Sequence, residues 1–191
     1  MKKIVLVPVL AAALVACDTA QWIKTAQEIL PVVLPMVTNL VTAAGLLQGK
    51  TVSATDLDTI TRTTNEVSND LNLAGQLVSQ YQSSPNPTTI GKINVVLGEV
   101  QSNLSGLLPA LHISDSATTQ KISAVVMLIN SEVSSIQQLL PIVSGGKVTA
   151  RPGAGAVPLS ANKLKEKFNA IVNQPTNNPV VNQAFAVVSL Q

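Results

Sequence analysis

Apolar residues recur at alternating spacings of three and four residues along four successive segments of this 191-residue chain. A mean spacing of about 3.5 residues collects apolar side chains into one stripe along an α-helix, whereas a β-strand needs a period of two. The four stripes run from Ile23 to Leu47, from Leu57 to Tyr81, from Ile90 to Leu111 and from Ile122 to Val143. The pattern predicts an all-α fold in which each helix buries one face.

Three short polar connectors separate the four segments, at residues 49–53, 83–87 and 114–116. Connectors this short make neighbouring helices run antiparallel. In the first connector, Ser53 is followed three residues later by Asp56, which is close to the capping-box pattern that begins a helix. We therefore predict an up-down antiparallel four-helix bundle over residues 17–144.

The triplet Ile-Leu-Pro or Leu-Leu-Pro occurs at three places in these segments and ends at Pro31, Pro109 and Pro141. Proline lacks the backbone N–H and clashes with the preceding turn, so each one is expected to kink or end its helix. Pro109 and Pro141 lie near the ends of the third and fourth segments, whereas Pro31 lies well inside the first.

The character of the chain changes after the fourth stripe. Residues 145–160 are rich in glycine and proline, which predicts a flexible linker. Residues 161–191 then predict a short helix capped by Ser160, followed by an apolar tail. This helix carries three lysines, Lys163, Lys165 and Lys167, beside an apolar face. It could lie on anionic lipid head groups at a membrane interface, but packing back onto the net-acidic bundle is favoured.

The amino terminus has the pattern of an export signal. Lys2 and Lys3 precede an uncharged apolar run from Ile4 to Ala16, which is too short to span a bilayer comfortably. The residues Leu14-Val15-Ala16-Cys17 resemble the lipobox of bacterial lipoproteins. The resemblance implies that residues 1–16 are a signal peptide that is removed, and that the sulfur of Cys17 receives a diacylglyceryl group. Ordinary signal cleavage, which would leave a soluble secreted protein, and an uncleaved segment that serves as a membrane anchor are the alternatives.

The lipobox resemblance implies a location and no activity. A lipidated Cys17 would anchor the protein through its acyl chains to the bacterial cell membrane or outer membrane, facing the periplasm or the exterior.

Removal of residues 1–16 takes away two lysines and leaves 10 basic and 10 acidic residues, so the chain's basicity does not argue for nucleic acid binding. Cys17 and His112 are the only Cys and His residues, which excludes a disulfide framework and a Cys/His metal cluster. No cofactor is predicted.

The first helical segment allows two interpretations. Residues 29–49 contain no charge, and a run of this length can cross a bilayer. Its apolar stripe matches those of the other three segments, so a buried bundle helix is favoured over a membrane-inserting or lipid-binding hairpin. Trp22, five residues after Cys17, either lies at the bilayer interface or closes one end of the bundle.

Candidate catalytic groups are few and poorly placed. His112 lies near Asp115, but no nucleophile elbow accompanies them. The carboxylate pairs Asp56 with Asp58 and Glu66 with Asp70 lie outside the apolar stripes, so all four are expected to be exposed with no burial to raise a pKa. The sequence therefore predicts a non-catalytic structural or interaction protein of the cell envelope, with an unknown envelope protein as partner.

Overall fold

The computed structural model describes the backbone of residues 8–149, 151 and 158–191, and the side chains within those ranges from residue 21 onward. Residues 1–7 of the predicted signal peptide and residues 150 and 152–157 of the predicted linker therefore lie outside the described residues. The elements are the helices α1 Pro8–Leu47, α2 Ala54–Ser83, α3 Pro87–Ala110, α4 Ser116–Leu139, α5 Ala161–Asn173 and α6 Pro179–Ala186, and the strands β1 Ile142–Ser144 and β2 Lys147–Thr149.

Helices α1 to α4 form the predicted antiparallel bundle. Helix α2 packs against α1 and α3, and α4 closes the bundle by packing against α3 and α1. The residues of the predicted stripes meet in one continuous apolar core, to which each helix contributes fully buried side chains, for example Val37, Val67, Leu97 and Val133. The prediction of the fold class from the apolar period is confirmed.

The connectors begin and end the helices as their residue types predict. The Ser53 hydroxyl accepts a hydrogen bond from the backbone N–H of Asp56 at 3.0 Å and caps α2. Gly49, in the turn after α1, has a φ of 73°, a left-handed conformation that glycine adopts without a steric penalty. These local signals fix where one long helix stops and the next one starts.

The prolines of these three triplets have different effects on their helices. Pro109 is the second-last residue of α3, and Pro141 lies two residues after the end of α4, as expected. Pro31 and Pro35 lie inside α1, which continues to Leu47, so of the two predicted outcomes Pro31 does not end its helix. Pro31 is on the exposed side of α1, where water can bind the backbone carbonyl group that the proline leaves without a donor.

A β-hairpin that the sequence analysis did not predict follows α4. Strands β1 and β2 pair antiparallel with Val143 opposite Val148, and the turn between them contains Gly145 and Gly146 at φ values of 56° and 75°. A Gly-Gly pair with positive φ at both positions is a strong hairpin turn. Residues 145–149 of the predicted linker thus belong to this hairpin.

The chain from residue 158 onward forms a second layer on the bundle, and we call residues 158–191 the C-terminal segment. Ser160 caps α5 as predicted, and the apolar face of α5 is buried through Leu164, Phe168 and Val172. Helix α5 packs against α4 and α1, and α6 packs against α1, α5 and α4. In the structure α5 therefore packs onto the bundle, which is the favoured of the two interpretations.

Candidate functional site

We call one end of the bundle the lower end. It contains residues 21–28 of α1, the end of α2, the start of α3, the end of α4 and the hairpin. The Gln27 side chain on α1 donates a hydrogen bond to the Gln82 side chain on α2 at 2.7 Å. Helix α1 continues past this level to Pro8, so the backbone of Cys17 lies about 7 Å beyond that of Trp22 along the helix axis. The side chain of Cys17 is outside the described side chains.

Trp22 closes the lower end of the bundle from inside. Its side chain is 1% exposed, and its ring centroid lies 5.4 Å from that of Tyr81 in a tilted arrangement. Burial raises the pKa of the Tyr81 phenol. The indole Nε1 has no hydrogen-bond partner among the described residues. Of the two positions that the sequence left open for Trp22, the structure contains the buried one.

The three lysines of α5 lie along the side of the four-helix bundle, which we also call the rod, and not at its lower end. Lys163 and Lys167 are exposed, and the Lys165 ammonium donates a hydrogen bond to the carbonyl of Gln191 at 2.7 Å. Helix α5 begins beside Glu132, which lies seven residues, or about 10 Å, before the end of α4. The structure therefore does not bring these lysines together with Trp22.

Lys121 on α4 is a buried cation that the sequence analysis did not single out. Its side chain is 3% exposed, and its ammonium donates hydrogen bonds to the carbonyls of Ile171, Val172 and Gln174. Burial lowers the pKa of this group. The three carbonyls belong to the last turn and the end of α5, where the helix dipole concentrates partial negative charge. Lys121 thus holds the C-terminal end of α5.

Glu132, also on α4, binds the opposite end of the same helix. The Glu132 side chain is 3% exposed, and its carboxylate accepts a hydrogen bond from the backbone N–H of Leu159 at 3.1 Å. Burial raises the pKa of Glu132, while the Leu159 hydrogen bond and the charge of Lys167 act in the lowering direction. Leu159 directly precedes the Ser160 cap, at the positive end of α5.

We call Lys121 and Glu132 the α5 clamp. The two residues place a positive charge at the negative end of α5 and a negative charge at its positive end. This arrangement requires α5 to run antiparallel to α4, because the reversed direction would put like charges together. The clamp specifies the direction of the C-terminal segment as well as its position.

A second row of buried residues on α4 is the sequence signal that could have revealed this contact. It runs beside the predicted apolar stripe and also has helical spacings of three, four or seven residues. Its members are Thr118, Lys121, Val125, Glu132 and Ser135. Because two of these five residues are uncharged polar residues and two are charged, the apolar period alone does not identify them. A fourth helix with two buried faces predicts a further layer on its outer side.

Neutral amide side chains fasten the end of the C-terminal segment. Asn169 on α5 donates to the carbonyl of Leu190 and accepts from its backbone N–H, both at 2.7 Å. Asn39 on α1 donates to the carbonyl of Val188 at 2.8 Å. These contacts satisfy backbone groups that belong to no helix or strand, which is what a buried irregular chain requires.

Asp56 differs from its prediction as an exposed carboxylate. Its side chain is 3% exposed, and it accepts hydrogen bonds from the Ser53 hydroxyl at 2.6 Å and from the backbone N–H of His112 at 2.8 Å. These bonds, that of His112 first, hold the pKa of Asp56 below its ordinary value. The prediction is wrong because the same carboxylate completes the α2 cap and ties it to the loop after α3.

In the second predicted carboxylate pair, Glu66 is exposed as expected, whereas Asp70 is less exposed than expected. Asp70 is half-buried and its pKa is raised, first by burial and then by the charges of Glu99 and Glu66. Asn103 donates a hydrogen bond to it at 3.4 Å. The expectation that no burial raises a pKa here is wrong, because α3 packs beside this part of α2.

His112 and Asp115 have separate contacts. The His112 backbone binds Asp56, and the residue is exposed. Asp115 caps α4 through the backbone N–H of Thr118 at 2.8 Å and accepts from the Asn178 side chain at 3.1 Å. Hydrogen bonds to its carboxylate, that of the Thr118 backbone first, hold the pKa of Asp115 below its ordinary value. Asp115 therefore has a structural position between the bundle and the C-terminal segment.

An open groove lies beside the lower end, between α2, α3 and the hairpin. It has a volume of about 840 Å³, and its apolar lining includes Leu73, Leu77, Val95 and Val143. Among the described residues, no group of three or more His, Cys, Asp or Glu side chains is placed to hold a metal ion. Comparisons with family models, with curated proteins and with solved structures gave no match to this chain.

Proposed function

We propose that this chain is a lipid-anchored, extracytoplasmic helical-bundle protein with a structural or interaction role in the bacterial cell envelope. The observation that supports the proposal is the course of α1, a single helix that contributes to the core and also extends beyond the lower end towards Cys17. Signal cleavage before Cys17 would remove no residue of the described core, whose first member is Trp22. The anchor and the fold are thus compatible in one chain.

The surface of the rod is suited to contacts with other proteins rather than to chemistry. Charged residues make up 12% of the chain, so much of its polar surface consists of Ser, Thr, Asn and Gln. Uncharged polar groups lose less hydration free energy on contact than ions do. A surface of this kind supports protein partners along the rod without a large desolvation cost.

The test is the chemical state of Cys17 in the protein purified from a bacterial membrane. The mature protein is expected to begin at Cys17, to carry acyl chains detected by mass spectrometry, and to resist thiol alkylation. A Cys17→Ala variant is the control and is expected to lose the acyl mass. An unmodified, alkylatable Cys17 in protein recovered from the soluble fraction would refute the anchor.

The alternative is a membrane-inserting or lipid-binding protein that uses residues 29–49. The helix Gln21–Leu47 is long and apolar enough to cross a membrane, with a mean hydropathy of 1.9 over its most apolar window. Half of that window is buried inside the bundle, including Val33, Val37 and Leu40. This burial favours use of the segment as core. Leakage of vesicle contents caused by the purified protein would favour the alternative instead.

A further inference from the structure

The α2–α3 side of the lower end exposes several large apolar side chains together. Leu73, Val95 and Val143 are 43%, 59% and 39% exposed, and all three line the groove described above. Ile142, beside Val143 on the same strand, is 39% exposed. A local concentration of exposed apolar side chains marks an interaction surface, whereas scattered single residues do not.

The charges around this groove are net positive: one cation, Lys92, and one anion, Glu99, line it, and two further basic residues lie in or just after the hairpin. Residues 71–98 and 133–151, which supply α2, α3, α4 and the hairpin to the lower end, contain Lys92, Lys147 and Arg151 and no acidic residue. Helix α1 adds Asp18 and the pair Lys24–Glu28, whose charged atoms are 3.9 Å apart, so the lower end as a whole remains net positive. The acidic residue Glu99 lines the part of the groove farthest from the lower end, 12 residues, or about 18 Å, from Pro87 at the start of α3.

The position of the groove points to one occupant. It lies at the same end of the rod from which α1 extends to Cys17, and acyl chains on Cys17 would hold this end close to a bilayer. Exposed apolar side chains next to basic ones match the interface of an anionic membrane, which offers apolar chains below negatively charged head groups.

We propose that the groove side of the lower end rests on the surface of the anionic bilayer that holds the Cys17 anchor. Val143, Val95 and Leu73 enter the head-group layer, and Lys92, Lys147 and Arg151 face lipid phosphates. The rod therefore leans towards its α2–α3 side instead of standing upright on α1. This inference rests on the proposed lipid anchor and adds to it a defined orientation.

The test uses the lipidated protein with one introduced thiol. Cys17 is the only cysteine of the chain and its sulfur is blocked by lipid in the anchored form, so a second cysteine can be labelled alone. Val143→Cys and Val95→Cys probe the groove. Leu46→Cys and Met127→Cys are matched controls, because these residues are also exposed and apolar, at 43% and 67%. Each variant carries an environment-sensitive fluorophore and is placed in vesicles of phosphatidylcholine with phosphatidylglycerol.

The labels at positions 143 and 95 are expected to shift to shorter emission wavelengths in the vesicles and to be quenched by lipid-borne quenchers, while the two control labels stay in water. Water-like emission at all four positions, on protein whose lipidation at Cys17 has been verified by mass spectrometry, would overturn the orientation and leave the anchor intact. Protein without lipid on Cys17 would instead refute the proposed function. A shift at position 143 without vesicles would identify self-association as the cause and would also overturn the inference.

A charge reversal separates membrane contact from fluorophore effects. Lys147→Glu is expected to reduce the shift of the label at position 95 in vesicles that contain phosphatidylglycerol and to leave it unchanged in pure phosphatidylcholine. Lys50→Glu, an exposed lysine at the other end of the rod, is the control and is expected to change neither. Equal effects of the two substitutions would contradict a contact specific to the lower end.

Discussion

The bundle and the C-terminal segment are held in place by different kinds of contact. Across the bundle, side chains such as Val67, Leu97 and Leu104 meet in an apolar seam that repeats along the helices. The C-terminal segment also buries an apolar face, but its direction is set by Lys121 and Glu132 and its final residues are bound by asparagine side chains. A repeating seam gives stability, whereas a few directional polar contacts exclude other registers.

The largest effect is expected from the seam. Leu104→Ala, at a position with no exposure, should lower the free energy of unfolding by about 2–5 kcal/mol, because it removes apolar contacts and leaves a cavity. Urea unfolding followed by circular dichroism measures this. Leu73→Ala, at a leucine that is 43% exposed, is the control and should cost less than about 1 kcal/mol. Similar costs at the two positions would contradict the assignment of the seam as the main source of stability.

The next effect should be confined to the C-terminal segment. Lys121→Ala leaves three carbonyls of the α5 end without their donor and should weaken docking of α5 by about 2–4 kcal/mol. Hydrogen exchange should therefore become faster in residues 158–191 and stay slow in α2 and α3. Lys92→Ala, at an exposed lysine, is the control and should leave both regions unchanged. Uniform acceleration over the whole chain would show that the two regions unfold as one unit.

Asp56 tests a directional polar contact inside the bundle. Its hydrogen bonds lower its pKa in the folded state, so its contribution is complete above the unfolded pKa of about 3.9 and is lost as the pH falls through the lower folded value. Asp56→Asn should cost about 1–2 kcal/mol at neutral pH and should make unfolding less sensitive to acid. Thermal melts from pH 7 to pH 2 measure both effects. Asp58→Asn, at an exposed neighbour, should change neither.

The smallest effect is expected from Glu132→Gln. The amide oxygen can still accept the hydrogen bond of Leu159, and the cost of burying a charge disappears, so stability at neutral pH should change by less than about 0.5 kcal/mol or rise slightly. Because the pKa of Glu132 is raised, the folded protein takes up this proton at a higher pH than the unfolded chain does. The difference between the variant and the original protein should then shrink as the pH falls through that raised value. Glu132→Ala, which removes the acceptor, should be less stable than Glu132→Gln at every pH.

The helical period was enough to predict the fold class and the four-helix arrangement. The stripe that begins at Ile90 and the cap at Ser53 each lie where the residue types indicate, because a helix of this length must bury its apolar face and satisfy its first N–H groups. The sequence left open whether Pro31 ends its helix, because that effect depends on which side of the helix the proline occupies, and packing sets that side.

The candidate site could be predicted less well, for reasons that differ from one residue to another. The hairpin has a Gly145-Gly146 turn signal, but its three-residue strands are too short for a period of two to be recognised. Lys121 and Glu132 are 11 residues apart in sequence and gain their meaning from α5, some 30 to 50 residues further on. A charged residue is predicted to lie on the surface unless the partner that buries it is known. Trp22 could be placed only once Tyr81 was known to lie opposite it.

The α5 clamp also affects how this molecule is made. Synthesis proceeds from the amino terminus, so the four long helices are finished before the residues that will cover the outer face of α4 have been added. In that interval the ammonium of Lys121 and the carboxylate of Glu132 keep the uncovered face hydrated and discourage unfinished chains from sticking to one another. The arrival of α5 then removes both ions from water at once, and the groups that protected the nascent chain become the ones that orient its last helix.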